Sequence, residues 1–355
     1  MKSIVLTGGG TSGHVTPNIA LLPGLKEKGW RIGYAGSKSG IEKQLIENEG
    51  ISYYSISTGK LRRYFDLKNF TDAFRVVDGF RQAFLLLGRL KPDIVFSKGG
   101  FVSCPVVWAA WCKRIPVVIH ESDMTPGLTN KLSMPFARKV CYTFPESERF
   151  IPREKAVFTG IPIRESLLGG DKAQGRKLCA FKNTKPVVLV IGGSQGSEAI
   201  NKAVRGAIHT LLESFQVCHI CGKGNVKPEF SGINGYCQFE YVNNELAHLF
   251  ATADIIVSRA GATSLFEILA LQKPALLIPL SRAASRGDQI LNAGSFEKQG
   301  FSKVLQEEKL DSATLLQGIF QLHSNRAAYI QSMKNSKIGN GTQKILSLLE
   351  EIIRQ

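Results

Sequence analysis

Gly8, Gly10 and Gly13, with His14 directly behind them, are the first residues in this chain whose types and spacing could do chemistry. They stand in "SIVLTGGGTSGHVTP" (3–17), an apolar run that breaks into a glycine turn and then enters a helix-like stretch. Small residues at such a turn let backbone N–H groups close on an anion, and the helix dipole favours negative charge there. The three glycines satisfy the G-x-G-x-x-G dinucleotide pattern. The second strand, however, ends in "GYAGSKS", with Gly36 and Ser37 where a ribose-binding carboxylate would stand. The same loop begins like a triphosphate loop, yet His14 and Val15 replace its Lys and Ser/Thr. NAD and ATP are both disfavoured. What survives is an anion site with a titratable ring, and a helix N-terminus keeps imidazole neutral, as a general base requires.

Further along, "SKGGFVSCP" (97–105), "HESDMTPGLTNK" (120–131), "GIPIR" (160–164), "GGSQGS" (192–197), "SRAGATSLFE" (258–267) and "RGDQILNA" (286–293) combine glycine turns with polar side chains. Short β-branched runs such as "KPDIVFS" and "IPVVIHES" alternate with helical segments, the pattern of a parallel sheet covered by helices. After residue 160 it restarts with "KPVVLVIGGSQGS" and a helix over "EAINKAVRGAIHTLLESF". The chain therefore reads as α/β, with two doubly wound, Rossmann-like domains facing across a cleft lined by their glycine loops, since ligands bind beyond the carboxyl ends of such strands. The expected divisions are 1–160, 161–340 and a C-terminal helix over 341–355 that returns to the first domain.

Length and an apolar content of 43% favour two domains. No run reaches the roughly 18 apolar residues of a spanning helix, and the N-terminus lacks a signal peptide's apolar core, so a cytoplasmic location is expected. Seven cysteines fit reduced thiols better than a disulfide framework, and "CHIC" (218–221) reads as buried strand. The net charge of +16 is uneven: residues 1–160 carry 23 basic and 13 acidic residues, so an anionic partner is expected on the first domain. Nucleic acid, acidic lipid and a phosphorylated substrate all remain open from charge alone.

Taken together, these motifs closely resemble the peptidoglycan N-acetylglucosaminyltransferases, inverting GT-B glycosyltransferases of family 28, in family order from residue 7 to residue 293. The resemblance implies transfer of GlcNAc from UDP-GlcNAc to the C4 hydroxyl of undecaprenyl-diphospho-MurNAc-pentapeptide (lipid I), giving lipid II. It assigns the donor chiefly to the second domain. Glu267 would take the ribose hydroxyls, and Ala262, Thr263 and Ser264 the phosphates with Arg164 and Ser194. Val242 would face uracil, and Gln289 beside Asp288 the GlcNAc hydroxyls. In the first domain, Thr11, Ser12, Gly13 and Asp123 would lie near the donor sugar. Gly9, Gly10, Gly99, Gly100 and Ser103 would form two loops for the acceptor diphosphate. His14 is the position for a catalytic base, with Glu121 a second catalytic carboxylate or an orienting partner. Asp123 stands where family members often carry Asn, Ile161 where Asn is frequent, and Ser12 where Gly is frequent. An ionised Asp accepts hydrogen bonds but cannot donate them.

An acceptor on a polyprenyl chain requires the enzyme to lie on the membrane. "GKLRRYFDLKNFTDAFRVVDGFRQAF" (59–84) interleaves Arg62, Arg63 and Lys68 with Phe65, Leu67, Phe70 and Phe74, suiting a peripheral position on anionic lipid at the cytoplasmic face. Val77, Phe80 and Phe84 of the same stretch are expected in the core. Trp108 and Trp111, near Lys113 and Arg114, could extend the patch. No metal or other cofactor is expected: there is no D-x-D, and Arg164 with helix N-termini can neutralise a departing diphosphate. No nucleic-acid partner is expected either. The competing readings are another GT-B enzyme, such as a diacylglycerol glycosyltransferase, a nucleotide-sugar epimerase, or a non-catalytic basic membrane- or nucleic-acid-binding protein.

Overall fold

The β-branched runs become thirteen short strands among the described residues. They are β1 (Ser3–Thr7), β2 (Arg31–Ser37), β3 (Ser52–Ile56), β4 (Ile94–Ser97), β5 (Val117–Glu121), β6 (Lys139–Tyr142), β7 (Ala156–Phe158), β8 (Val187–Ile191), β9 (Gln216–Ile220), β10 (Tyr236–Phe239), β11 (Ile255–Ser258), β12 (Ala275–Leu277) and β13 (Ser302–Val304). This computed structural model describes residues 1–59, 68–193, 196–283, 285–336 and 338–355, with the backbone alone for 68–73. Arg62, Arg63, Phe65, Leu67 and Ser194 therefore lie outside the described residues, as do the side chains of Lys68 and Phe70.

The chain divides into one unit of Met1–Arg164 with Gly339–Gln355 and a second of Glu165–Ile338. The first holds a parallel sheet in the order β3-β2-β1-β4-β5-β6-β7, the second a parallel sheet in the order β10-β9-β8-β11-β12-β13. Helices cover both faces, which is why the central strands are apolar without alternation. In β1, Ile4 and Leu6 enter one core with Leu21, Leu25 and Leu346, while Val5 enters another with Val95, Val107 and Val117. In β8, Val188 and Val190 pack with Ile200, Val204 and Ile319. Each sheet reverses its order at one place, between β1 and β4 and between β8 and β11. Loops leaving strands at such a switch point diverge to opposite faces and open a ligand-sized crevice.

The helix Thr342–Arg354 packs on Thr16–Glu27 of the first unit. Leu346 fills the space beside Gly24, where a β-carbon would come within 2.4 Å of it, and Lys28 pairs with Glu350 at 2.9 Å. The stretch expected as one helix after β8 is two, Glu198–Gly206 and Ile208–Ser214, divided at Ala207. All seven cysteines are free thiols, and Cys218 and Cys221 are buried.

The helix Lys68–Leu90 corrects the expected core face. Ala83, Leu86 and Leu87 are buried and Phe80 packs partly against the core, but Val77 is 67% exposed and Phe84 lies at the surface under the Lys113 ammonium, 3.7 Å from the ring centre. Gly79 decides the orientation. A β-carbon there would lie 2.1 Å from the Ser57 carbonyl oxygen, so the helix seats its position 79 face inward and turns Phe74, Val77 and Leu85 to solvent. Trp111 is also exposed and meets Phe136 edge-on, whereas Trp108 is half-buried and donates its indole N–H to the Leu132 carbonyl at 3.3 Å.

Candidate active site

In the first unit, the loops after β1 and β4 interlock. Gly10, Gly99 and Gly100 all have positive φ, at 89°, 90° and 83°. A β-carbon on Gly100 would come within 2.1 Å of the Gly9 carbonyl oxygen, so only glycine permits the two loops to approach this closely. Ser103, fully buried at the start of the helix Ser103–Cys112, donates its hydroxyl to the Gly99 carbonyl at 2.7 Å and fixes the second turn.

His14 ends the short 3-10 turn Ser12–His14 that precedes the helix Thr16–Glu27 and is half-buried. Its Nδ1 lies 3.1 Å from the Thr11 hydroxyl. In the tautomer that donates Nδ1–H to Thr11, the basic lone pair is on Nε2, and the ring is set for proton abstraction. Thr11 is exposed, with Ser12 and Gly13 half-buried beside it.

Glu42 was not singled out from the sequence. Its buried carboxylate accepts from the Ser37 N–H at 3.1 Å, from the Ser37 hydroxyl and from the Gly10 N–H at 3.3 Å. The Gly10 amide is thus used within the unit, and an anion at this loop would be met by other groups.

The loop after β5 is built on Glu121. One carboxylate oxygen accepts from the Asp123 N–H at 3.0 Å; the other accepts from the Gly127 N–H at 3.0 Å and the Asn130 side chain at 2.8 Å. Burial and then the nearby Asp123 push this carboxyl above its usual range. Both oxygens are engaged in shaping the 121–130 turn, which is the work of an orienting residue. Asp123 is half-buried on that turn. His120, fully buried, has Nε2 2.8 Å from the Gly160 carbonyl, and burial together with the Lys98 charge holds it well below the usual histidine range. Arg164 is half-buried at the end of this unit's first segment.

In the second unit, the loops after β8 and β11 are joined by Arg259. Its guanidinium donates to the Ser197 hydroxyl at 2.7 Å and the Ile278 carbonyl at 3.2 Å, and pairs with Glu307. Ser197 in turn caps the helix Glu198–Gly206. Gly261 caps the helix Ala262–Ala270, which carries buried Ala262, half-buried Thr263 and Ser264 in its first turn, and Glu267 one turn further on, only 7% exposed. Gln289 turns its carbonyl oxygen onto the Ala260 N–H at 3.2 Å and the Leu280 N–H at 3.1 Å, so β11 and β12 orient its amide. Asp288 pairs with Arg286 at 2.5 Å. Val242, half-buried in the loop after β10, is not in the core. The switch point thus has Ala262, Thr263 and Ser264 in the first turn of one helix, Glu267 a turn further on, and Gln289 held against Ala260 just before that helix, an arrangement suited to a nucleoside diphosphate. Arg259 and Glu307 escaped sequence reasoning, although "SRAGATSLFE" places Arg259 at the end of a strand.

Comparison with known proteins identifies the family. The glycosyltransferase family 28 N-terminal domain matches residues 4–142 and the family 28 C-terminal domain residues 187–349. The UDP-N-acetylglucosamine--N-acetylmuramyl-(pentapeptide) pyrophosphoryl-undecaprenol N-acetylglucosamine transferase of Lachnoclostridium phytofermentans is 57% identical over 352 residues, 99% of each chain. Its Clostridium tetani counterpart is 56% identical over 350 residues, 99% of this chain and 98% of that one. The crystal structure of Acinetobacter baumannii MurG matches with a TM-score of 0.77 at 25% identity, over 99% of this chain and 100% of that one. With both domains matched and more than half of all positions identical from end to end, this chain belongs to glycosyltransferase family 28, within its group of muramyl-pentapeptide N-acetylglucosamine transferases.

Proposed function

We propose that the chain is an inverting N-acetylglucosaminyltransferase that moves GlcNAc from UDP-GlcNAc to the C4 hydroxyl of MurNAc in lipid I, forming lipid II for peptidoglycan. The observation that carries this reading is its end-to-end likeness to enzymes named for that transfer. The geometry of each unit supports it.

Inversion requires a base for the acceptor hydroxyl and stabilisation of departing UDP. His14, oriented through Thr11, is the base. Glu267 accepts both ribose hydroxyls, Val242 lies against uracil, and the amides and hydroxyls of Ala262, Thr263 and Ser264 meet the diphosphate with Arg164 and Ser194. Gln289 presents its amide to the sugar, with Asp288 beside it. Thr11, Ser12, Gly13 and Asp123 complete the sugar contacts, and the loops of Gly9, Gly99, Gly100 and Ser103 take the acceptor diphosphate, Gly10 serving to shape its turn through Glu42. Glu121 acts by shaping its turn.

The acceptor's lipid is reached from an anionic membrane surface at the cytoplasmic face. Among the described residues no helix is long and apolar enough to cross a membrane. Exposed Phe74, Val77, Leu85 and Trp111 supply the apolar contact. Arg62, Arg63 and Lys68 with Phe65, Leu67 and Phe70, which precede Phe74 in the sequence, add basic and apolar side chains to it. Donor choice tests the reading against another hexosyltransferase: UDP-GlcNAc should be consumed with a muramyl acceptor, and UDP-galactose with diacylglycerol should not.

A further inference from the structure

Lys98 is a cation enclosed in the first unit, only 1% exposed. Its backbone N–H donates to the Thr7 carbonyl at 2.8 Å, and its stem passes beneath the first glycine loop, 3.1 Å from where a β-carbon on Gly8 would sit. The ammonium donates to the Ser122 hydroxyl, in the turn that Glu121 shapes. The groups facing it are His120 and Glu121 from β5, Asp123 from the following turn and the Cys141 thiol from β6. His120 is neutral and the thiol is raised to about 12, so the charge facing Lys98 is that of two neighbouring carboxylates.

We propose that Lys98 is a positioning residue for sugar transfer: its buried ammonium balances Glu121 and Asp123 and so holds the 121–127 turn in its working form. Without that cation the turn would enclose two like charges, a costly arrangement that protonation of Glu121 or displacement of Asp123 would relieve. Either change loosens the three donors gathered on Glu121. Burial lowers the Lys98 pKa to about 8 against the opposing pull of Glu121 and Asp123, so the balance is lost on the alkaline side.

The inference rests on the transferase reading for its activity measurement and not for its charge argument. The test is a cycle of Lys98→Met, Asp123→Asn and the double variant, in the full-length protein, with UDP-GlcNAc and a short-chain lipid I analogue. Lys98→Met should lower kcat/KM for UDP-GlcNAc at least about thirtyfold in the wild-type background and less than about fivefold in the Asp123→Asn background, the difference being a coupling of more than about 1 kcal/mol. The wild type should lose kcat/KM as pH rises through about 8, and the double variant should not. Equal losses in both backgrounds, or an alkaline limb that persists without the lysine, would overturn the proposal. Should Lys98→Met alone fail to fold, the pH profiles of the wild type and the double variant still decide. If no variant transfers GlcNAc, the transferase reading has failed, and the same cycle read in melting temperature tests the charge balance: non-additive shifts support it, additive shifts overturn it.

Discussion

The Gly9 carbonyl oxygen lies where Gly100 has no room for a side chain, 2.1 Å from the position a β-carbon would occupy. Two glycines 91 positions apart thereby hold their loops as one surface at the switch point of the first sheet. Gly100→Ala should force them apart and strain a φ of 83° as well. The strain alone is about 1–3 kcal/mol, so the melting temperature should fall by several degrees and transfer by at least about tenfold. Unchanged calorimetric melting and turnover would mean that the loops tolerate separation.

His14→Ala should abolish most transfer and leave UDP affinity near that of the wild type, because the ring serves the acceptor hydroxyl. Steady-state kinetics beside calorimetric UDP titration check this, and full turnover in the variant would remove His14 as the base.

Glu267→Ala should do the reverse. Loss of two charge-assisted hydrogen bonds should weaken UDP affinity by about 2–4 kcal/mol, with the far-UV spectrum and melting temperature close to wild type. An unaltered titration would place the ribose elsewhere.

How far the sequence reached can be judged on these same residues. The strand, glycine turn and helix start at Gly8 to His14, at Gly99 to Ser103 and at the helix that carries Glu267 were legible because they are local features. Glu42 and Lys98 were not, since their importance lies in what the fold brings to them: the Gly10 amide 32 residues away and Ser122 24 residues away. Arg259 escaped for the same reason, its partners being Ser197 and Glu307. Val77 and Phe84 read as core because apolar residues cover most of the circumference of the helix Lys68–Leu90, and the close approach of Gly79 to Ser57 selects which of them face inward.

The outward apolar residues give a membrane prediction. Phe74→Ser with Val77→Ser should leave the melting temperature unchanged, both side chains being more than half exposed, yet release the protein from vesicles of anionic lipid. Two apolar side chains of this kind contribute about 3 kcal/mol or more, over a hundredfold in partitioning. Reversing Arg62, Arg63 and Lys68 to Glu should cost at least about 3 kcal/mol as well, and high salt should mimic that change alone. Sedimentation with vesicles separates the two contributions, and wild-type sedimentation of both variants would move the docking face elsewhere.

Acid should destabilise the second unit through His219. The ring is buried between Asn201 and Tyr236, each at 2.8 Å, and burial lowers its pKa to about 3. The unfolded chain therefore binds the proton first, and stability falls as pH drops from about 6.5 towards 3, with a slope of up to about 1.4 kcal/mol per pH unit. His219→Gln should flatten urea-melt stability across that window; an unchanged slope would assign the acid sensitivity to another group.

The transferase reading is tested most directly by incubating the full-length protein with UDP-[14C]GlcNAc and a short-chain lipid I analogue and analysing the lipid-linked product. The expected result is a radiolabelled GlcNAc-MurNAc disaccharide on the diphosphate, joined β-1,4 with inversion at the donor's anomeric carbon and accompanied by one equivalent of UDP. Absence of label in the lipid fraction, or UDP-GlcNAc consumed by epimerisation without an acceptor, would contradict it.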